Sequence, residues 1–256
     1  MSQPTAYTIF QQPIPSGWEE VFHEAQPDLE NIEHLLKQTG KTFVPYQNEL
    51  FTAFNLTPLS QVKAVIIGQD PYHNFDNTTG LPQAHGLAFS CRGKVQSSLQ
   101  NIYKELRRER MEYIKSQGMD YDGWQPPEHG MLTNWAKQGV LLINSSLTTE
   151  PQVAGAHPHL WKPFITKVIE AVNRTNPECI YLLWGRHAQG YADGSKSILS
   201  NRNPQFIATH PSGLSANRQP NSDRDPPAFI GCDCFIKANE ALIGQGRKPV
   251  DWWQLI

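Results

Sequence analysis

A chain of 256 residues with 39% hydrophobic content is long enough to bury a core and fits one large α/β domain. Its 22 Lys+Arg against 24 Asp+Glu exclude a polycationic nucleic-acid binder, so any contact with DNA has to come from a local patch and neutral donors. No stretch approaches the roughly 18 apolar residues of a membrane span, the start Met1-Ser2-Gln3-Pro4 has no signal-peptide core, and Cys91, Cys179, Cys232 and Cys234 lack CxxC spacing. A soluble intracellular protein with reduced thiols and no zinc site is therefore expected.

Residues 1–16 contain prolines and no hydrophobic period, and read as a poorly ordered N-terminal arm ahead of a domain over 17–256. Trp18, Val21 and Phe22, then Leu29, Ile32, Leu35 and Leu36, recur at helical spacing, with Asp28 near a helix start. Pro45 fits the start of another helix carrying Leu50, Phe51 and Phe54. The stretch VKAVIIGQDPYH, residues 62–73, is nearly continuously apolar up to Ile67, as a strand buried on both faces should be. Gly68 ends it, and Gln69-Asp70-Pro71-Tyr72-His73 stands where a parallel strand delivers its carboxyl end to a crevice; it reads equally as a strand exit in which Asp70 caps the next helix.

A turn-rich surface loop follows over 74–82, and then Phe89, which between Ala88 and Ser90 reads as core or as a stacking face for a planar ligand. Ser97-Ser98 before Leu99, Ile102, Tyr103 and Leu106 predicts an N-capped amphipathic helix, with Lys104, Glu105, Arg107, Arg108, Glu109 and Arg110 mainly on its wet face. Gly139 to Ile143 is a second apolar strand and ends in Asn144, placed as Asp70 is. His157-Pro158-His159 lacks a neighbouring Cys, Asp or Glu and reads as loop, not as a metal site. Leu160, Phe164, Ile165, Val168, Ile169 and Val172 form the stripe of a crossover helix. Two further strands, 180–184 and 205–209, end in Gly185-Arg186-His187 and His210-Pro211-Ser212, and a final helix with an apolar anchor runs from Phe229 through Leu242 to Trp252-Trp253. The pattern predicts an α/β single domain with a central four-stranded parallel sheet flanked by helices, its four strands buried and Asp70, Asn144, Gly185 and His210 along one edge.

The motifs Gly68-Gln69-Asp70-Pro71-Tyr72-His73 and His210-Pro211-Ser212-Gly213-Leu214-Ser215 resemble the two signatures of the family 1 uracil-DNA glycosylases, and the resemblance extends through residues 83–90, 138–144 and 182–189 to Asp251-Trp252. Where that family usually has a Pro-Pro-Ser loop this chain has Val95-Gln96-Ser97-Ser98; it has Gly213 for a proline, and longer loops at 74–82 and 219–227. The resemblance implies excision of uracil from DNA without metal or other cofactor, with 17–256 the catalytic domain. Asp70 and His210 are then the catalytic pair, Gln69, Tyr72, Phe89 and Asn144 bind uracil, and Ser98, Ser212, Leu214 and Ser215 bind DNA. It further implies a monomer acting on single- or double-stranded DNA, open to a DNA-mimicking protein inhibitor. Its compartment would be the cytoplasm in a bacterium, or the host nucleus or cytoplasm for a viral protein. The alternative is a DNA-binding or processivity module on the same fold.

Residue chemistry agrees independently. Glycosidic cleavage develops an oxocarbenium-like sugar and a base anion, which call for a carboxylate beside the one and a donor at the other. Asn144 offers an acceptor and a donor that match uracil N3–H and O4, whereas cytosine presents the reverse pattern.

Overall fold

The apolar runs become four parallel strands, β1 (Ala64–Gly68), β2 (Val140–Asn144), β3 (Ile180–Trp184) and β4 (Gln205–Ala208), joined in the order β2-β1-β3-β4 in a computed structural model that describes residues 12–192, 199, 202–223 and 225–255. Residues 1–11 of the expected arm lie outside the described residues. Gly68 pairs with Asn144 and Trp184 with Ala208, so the strands finish level at their carboxyl ends. Every residue of β1, β2 and β3 is buried, which is why their sequences do not alternate. The expectation of four buried strands fails for β4. It is the sheet edge beyond β3, and Ile207 is 40% exposed. The opposite edge, β2, is buried because α3 (Thr52–Leu56) and α5 (Thr133–Lys137) pack on it.

Around the sheet stand α1 (Glu19–Glu24), α2 (Gln26–Thr39), α4 (Ser97–Ser116), α6 (Lys162–Thr175), α7 (Gly185–Gln189) and α8 (Cys234–Gly244). On β3 the Tyr181 hydroxyl donates to Asn173 of α6 at 2.7 Å, while the Trp184 ring meets Phe235 of α8 with centroids 5.7 Å apart. Residues three apart on a strand face opposite ways, so α6 and α8 cover opposite faces. Each layer has its aromatic cluster: Trp18, Phe22, Phe51, Phe54 and Phe164 in one, Trp135, Trp184, Phe229, Phe235 and Trp252 in the other. No helix among the described residues is long and apolar enough to cross a membrane.

Four local expectations are corrected. The helix expected after Pro45 is broken into a 3₁₀ turn, Gln47–Glu49, and α3, at the point where Gly86 crosses so closely that an added Cβ would fall 1.9 Å from the Glu49 carbonyl oxygen. Ser97 is the first residue of α4 rather than its cap; Gln96 precedes the helix and no side chain caps it. Glu105 and Glu109 are wholly buried instead of solvated. Their carboxylates accept the backbone N–H groups of Gly231 and Asp233, and of Phe235 and Ile236, so that α8 starts at Cys234 and not at Phe229. The Glu109 oxygens thereby satisfy backbone donors that the first turn of a helix leaves without an intrahelical partner.

Candidate active site

With β1 flanked by β2 on one side and β3 on the other, chain direction across the sheet reverses at β1, and crevices at such reversals are where open α/β sheets bind ligands. Here the carboxyl ends open into a cavity of about 350 Å³ that brings together Asp70, Tyr72, Phe89, Asn144 and His210. Two glycines make the room. A Cβ at Gly68 would stand 2.1 Å from Asn144 Oδ1, and one at Gly185, whose φ is +85°, would stand 2.9 Å from His210 Cβ. Asn144 is buried, yet its amide is engaged by no side chain or backbone group among the described residues, which leaves a donor and an acceptor for whatever enters.

Asp70 is steered from outside its own loop. The Gly155 N–H donates to Asp70 Oδ2 at 3.2 Å, and the Gln152 N–H donates to the His73 carbonyl at 2.8 Å. Both residues adopt left-handed backbone angles, Gln152 at φ +63° and Gly155 at φ +64°. The turn is closed by buried Thr149, whose hydroxyl donates to the Val153 carbonyl at 2.7 Å and accepts from the Ala156 N–H at 3.3 Å. Sequence reading overlooked Thr149 and Gly155, because neither residue type announces this role: Gly155 meets a partner 85 residues away, and Thr149 acts by shaping the turn that carries it.

His210 accepts the Ser212 N–H on Nδ1 at 3.0 Å. A neutral ring therefore carries its proton on Nε2, where it can donate into the cavity. Burial first, and then the nearby His187, hold the imidazole below the usual histidine range. His187 was also not singled out; its Nε2 lies 2.5 Å from the Ser145 hydroxyl, which in turn donates to the Gln69 carbonyl at 2.9 Å. Gln69 itself is exposed, and its side chain sits at the mouth of the cavity.

Phe89 belongs to the cavity wall. Its φ of +62° is unusual for an aromatic residue, and its ring lies 5.5 Å from Trp184 and 5.8 Å from His210 between centroids. The neighbouring Ser90 secures this geometry: its hydroxyl donates to the Gly130 carbonyl at 3.0 Å, accepts the Leu132 N–H at 2.9 Å and meets His85 Nε2 at 2.7 Å. The Tyr72 hydroxyl donates to the Phe89 carbonyl at 3.3 Å, and burial keeps it protonated far above the ordinary tyrosine range.

The residues expected to touch DNA ring the mouth. Ser98 lines the cavity from the first turn of α4. Ser215 lines an adjoining cavity of about 280 Å³ that shares His210 and adds Arg186 and Arg218. Leu214 is 96% exposed at the tip of a loop that is itself tied down, by Asn101 Nδ2 to the Pro211 carbonyl and by the Thr209 hydroxyl to the Ser215 carbonyl, each at 2.8 Å. Ser212 lies on this loop, its carbonyl accepting from the Ser215 and Ala216 N–H groups. Among the described residues no group of three or more His, Cys, Asp or Glu could hold a metal ion. His157 instead places Nδ1 2.9 Å from the Thr148 hydroxyl.

This geometry has relatives. The model of the uracil DNA glycosylase superfamily matches residues 54–243. A uracil-DNA glycosylase of Serratia proteamaculans (strain 568) is 43% identical over 219 residues, 84% of each chain. One of Haemophilus influenzae (strain Rd) is 41% identical over 244 residues, 92% of this chain and 98% of the relative. The crystal structure of mimivirus uracil-DNA glycosylase superposes with a TM-score of 0.79 at 29% identity, covering 96% of this chain and 89% of that one. A variant of the mimivirus protein crystallised in complex with UGI gives 0.80 at 29% identity, covering 93% and 88%.

Proposed function

Because the chain belongs to the uracil DNA glycosylase superfamily and its activity is the excision of uracil from DNA, we propose that the cavity at the strand ends is the pocket for the flipped base and that Asp70 and His210 carry the chemistry. The observation that carries this assignment is the hydrogen bond from the Ser212 N–H to His210 Nδ1, which leaves Nε2–H free to donate to uracil O2 as negative charge develops there. Asp70, aimed by the Gly155 N–H, stabilises the oxocarbenium-like sugar and positions water. The bonding pair of the glycosidic bond leaves with uracil, water adds to the sugar carbon, and its proton passes to the uracil anion through solvent.

Asn144 reads N3–H and O4, Phe89 supplies the stacking face, Tyr72 stands against C5 where thymine carries a methyl, and Gln69 closes the mouth over the base. Ser98, Ser212 and Ser215 hold phosphates through hydroxyl and backbone donors, so a chain of net charge −2 can bind DNA. Leu214 fills the vacated stack. The domain over 17–256 works as a monomer inside the cell on single- and double-stranded DNA, and the UGI complex of the mimivirus variant supports recognition of this face by a protein inhibitor.

The test is single-turnover excision on a uracil-containing oligonucleotide, without added metal, scored for abasic sites. The wild-type chain should cleave, while Asp70→Asn and His210→Leu should each lose about 10²–10³-fold in rate with DNA affinity nearly unchanged, because both groups act mainly in the transition state. Equal losses in rate and affinity would remove the catalytic assignment. Retained binding with no cleavage by the wild type would favour a DNA-binding module.

A further inference from the structure

Several cations packed into this fold are matched by acids: Arg92 by Glu49, Arg108 by Glu105, Glu112 and Asp233, Arg110 by Asp122, Lys167 by Asp28. A cluster of four is not. At the amino ends of β1 and β2, across the sheet from the uracil pocket, Lys63, Lys137, Arg247 and Lys248 line a single cavity of about 410 Å³. Lys63 precedes β1, Lys137 ends α5, and Arg247 and Lys248 follow α8, so three separate parts of the chain deliver positive charge to one place. Among the described residues none of the four forms an ion pair with a carboxylate. Asp251 instead accepts the Trp253 and Gln254 N–H groups at 3.1 Å, and Glu178 lies 3.6 Å from Arg202.

Two of these side chains are anchored by hydrogen bonds and, among the described residues, two are not. Lys63 Nζ donates to the Lys248 carbonyl at 3.2 Å and Arg247 Nη2 to the Val62 carbonyl at 2.9 Å, which fixes their heads at the rim. Lys137 and Lys248 are exposed. Burial, and then repulsion from Arg247 and Lys248, hold the Lys63 ammonium below the usual lysine range. Like charges assembled at the surface of a protein whose net charge is −2 cost free energy that a bound anion removes. A guanidinium beside exposed ammonium groups can donate to several oxygens of one phosphate group.

We propose that this cavity is a second anion site, separate from the uracil pocket, which takes a phosphate group either free or in a phosphodiester backbone. It stands independently of the roles assigned to Asp70, Asn144 and His210. Amide chemical shifts would be followed while inorganic phosphate replaces chloride at constant ionic strength, and in a second arm while a uracil-free duplex is added. The amides of Lys63, Gly139 and Lys248 should move together, and the double variant Lys137→Gln/Lys248→Gln should weaken that response at least tenfold. Its other amides and its uracil excision from a short single strand should stay as in the wild type. Response to both titrants identifies the DNA backbone as a source; response to inorganic phosphate alone identifies free phosphate. If neither titrant moves these amides, or wild type and double variant respond with equal affinity, the site does not exist.

Discussion

Asn144 shows how much one residue depends on its neighbour: its amide occupies the space that any side chain at position 68 would fill. A pocket of this kind rejects a base by leaving its own groups unpaired, at about 1–3 kcal/mol for each buried donor or acceptor. Asn144→Asp keeps the shape but changes the inventory, since a carboxylate accepts from cytosine's exocyclic amine and, when burial keeps it protonated, donates to N3. The variant should gain measurable release of cytosine while losing much of its uracil activity, as read by base release from oligonucleotides carrying one U or one C. A folded variant with no cytosine signal would demote Asn144 to scaffold. Residues of this sort were legible in the sequence, because a polar side chain that ends an apolar strand has only the crevice to face. Phe89 was legible only as one of two readings, since its left-handed backbone and the Ser90 contacts that secure it lie in no residue type.

Among the elements, the turn over 149–156 links the segment after β2 to Asp70, the proposed catalytic carboxylate. The Thr149 hydroxyl bonds Val153 and Ala156 on either side of Gly155, whose N–H reaches Asp70, so removing that hydroxyl should loosen the aim of the carboxylate. Thr149→Val is expected to lower the single-turnover rate about tenfold with KM nearly unchanged, and Thr149→Ser to restore it, because small misplacements of a reacting group are costly. A change in KM alone would show that the turn serves binding. Strands and long helices were readable from period and turn residues, and the order of the site along the sheet edge followed. The break before α3 and the start of α8 were not, for both are imposed by distant partners: Gly86 against Glu49, and Glu105 and Glu109 against the backbone of 231–236.

For the whole molecule, two buried groups set opposite limits on pH stability. Burial pushes the His85 imidazole down to about 4 from an ordinary 6.5, so its neutral form supports the fold above about 6.5 and that support is lost as pH falls toward 4. Burial pushes the Glu109 carboxyl up to about 8 from an ordinary 4.5; its contribution is complete below about 4.5 and is lost as pH rises toward 8. Glu109→Gln cannot ionise, so between pH 5 and pH 9 its Tm should gain on the wild type by at least the roughly 2–4 °C that 1 kcal/mol is worth in a domain of this size. Calorimetry across that range decides it; a constant difference would mean that Glu109 is ionised throughout. The position of β1 in the middle of the sheet has a consequence for the chain while it is being made. Its partners β2 and β3 are encoded far downstream, and His210 follows Asp70 by more than half of the sequence. At about 5–20 residues per second a ribosome needs roughly 7–28 s between those two residues. Until β2 is made β1 has both hydrogen-bonding edges unsatisfied, and until β3 is made it still has one, so the nascent chain has no complete sheet edge to carry the site before β3 and then His210 have been added.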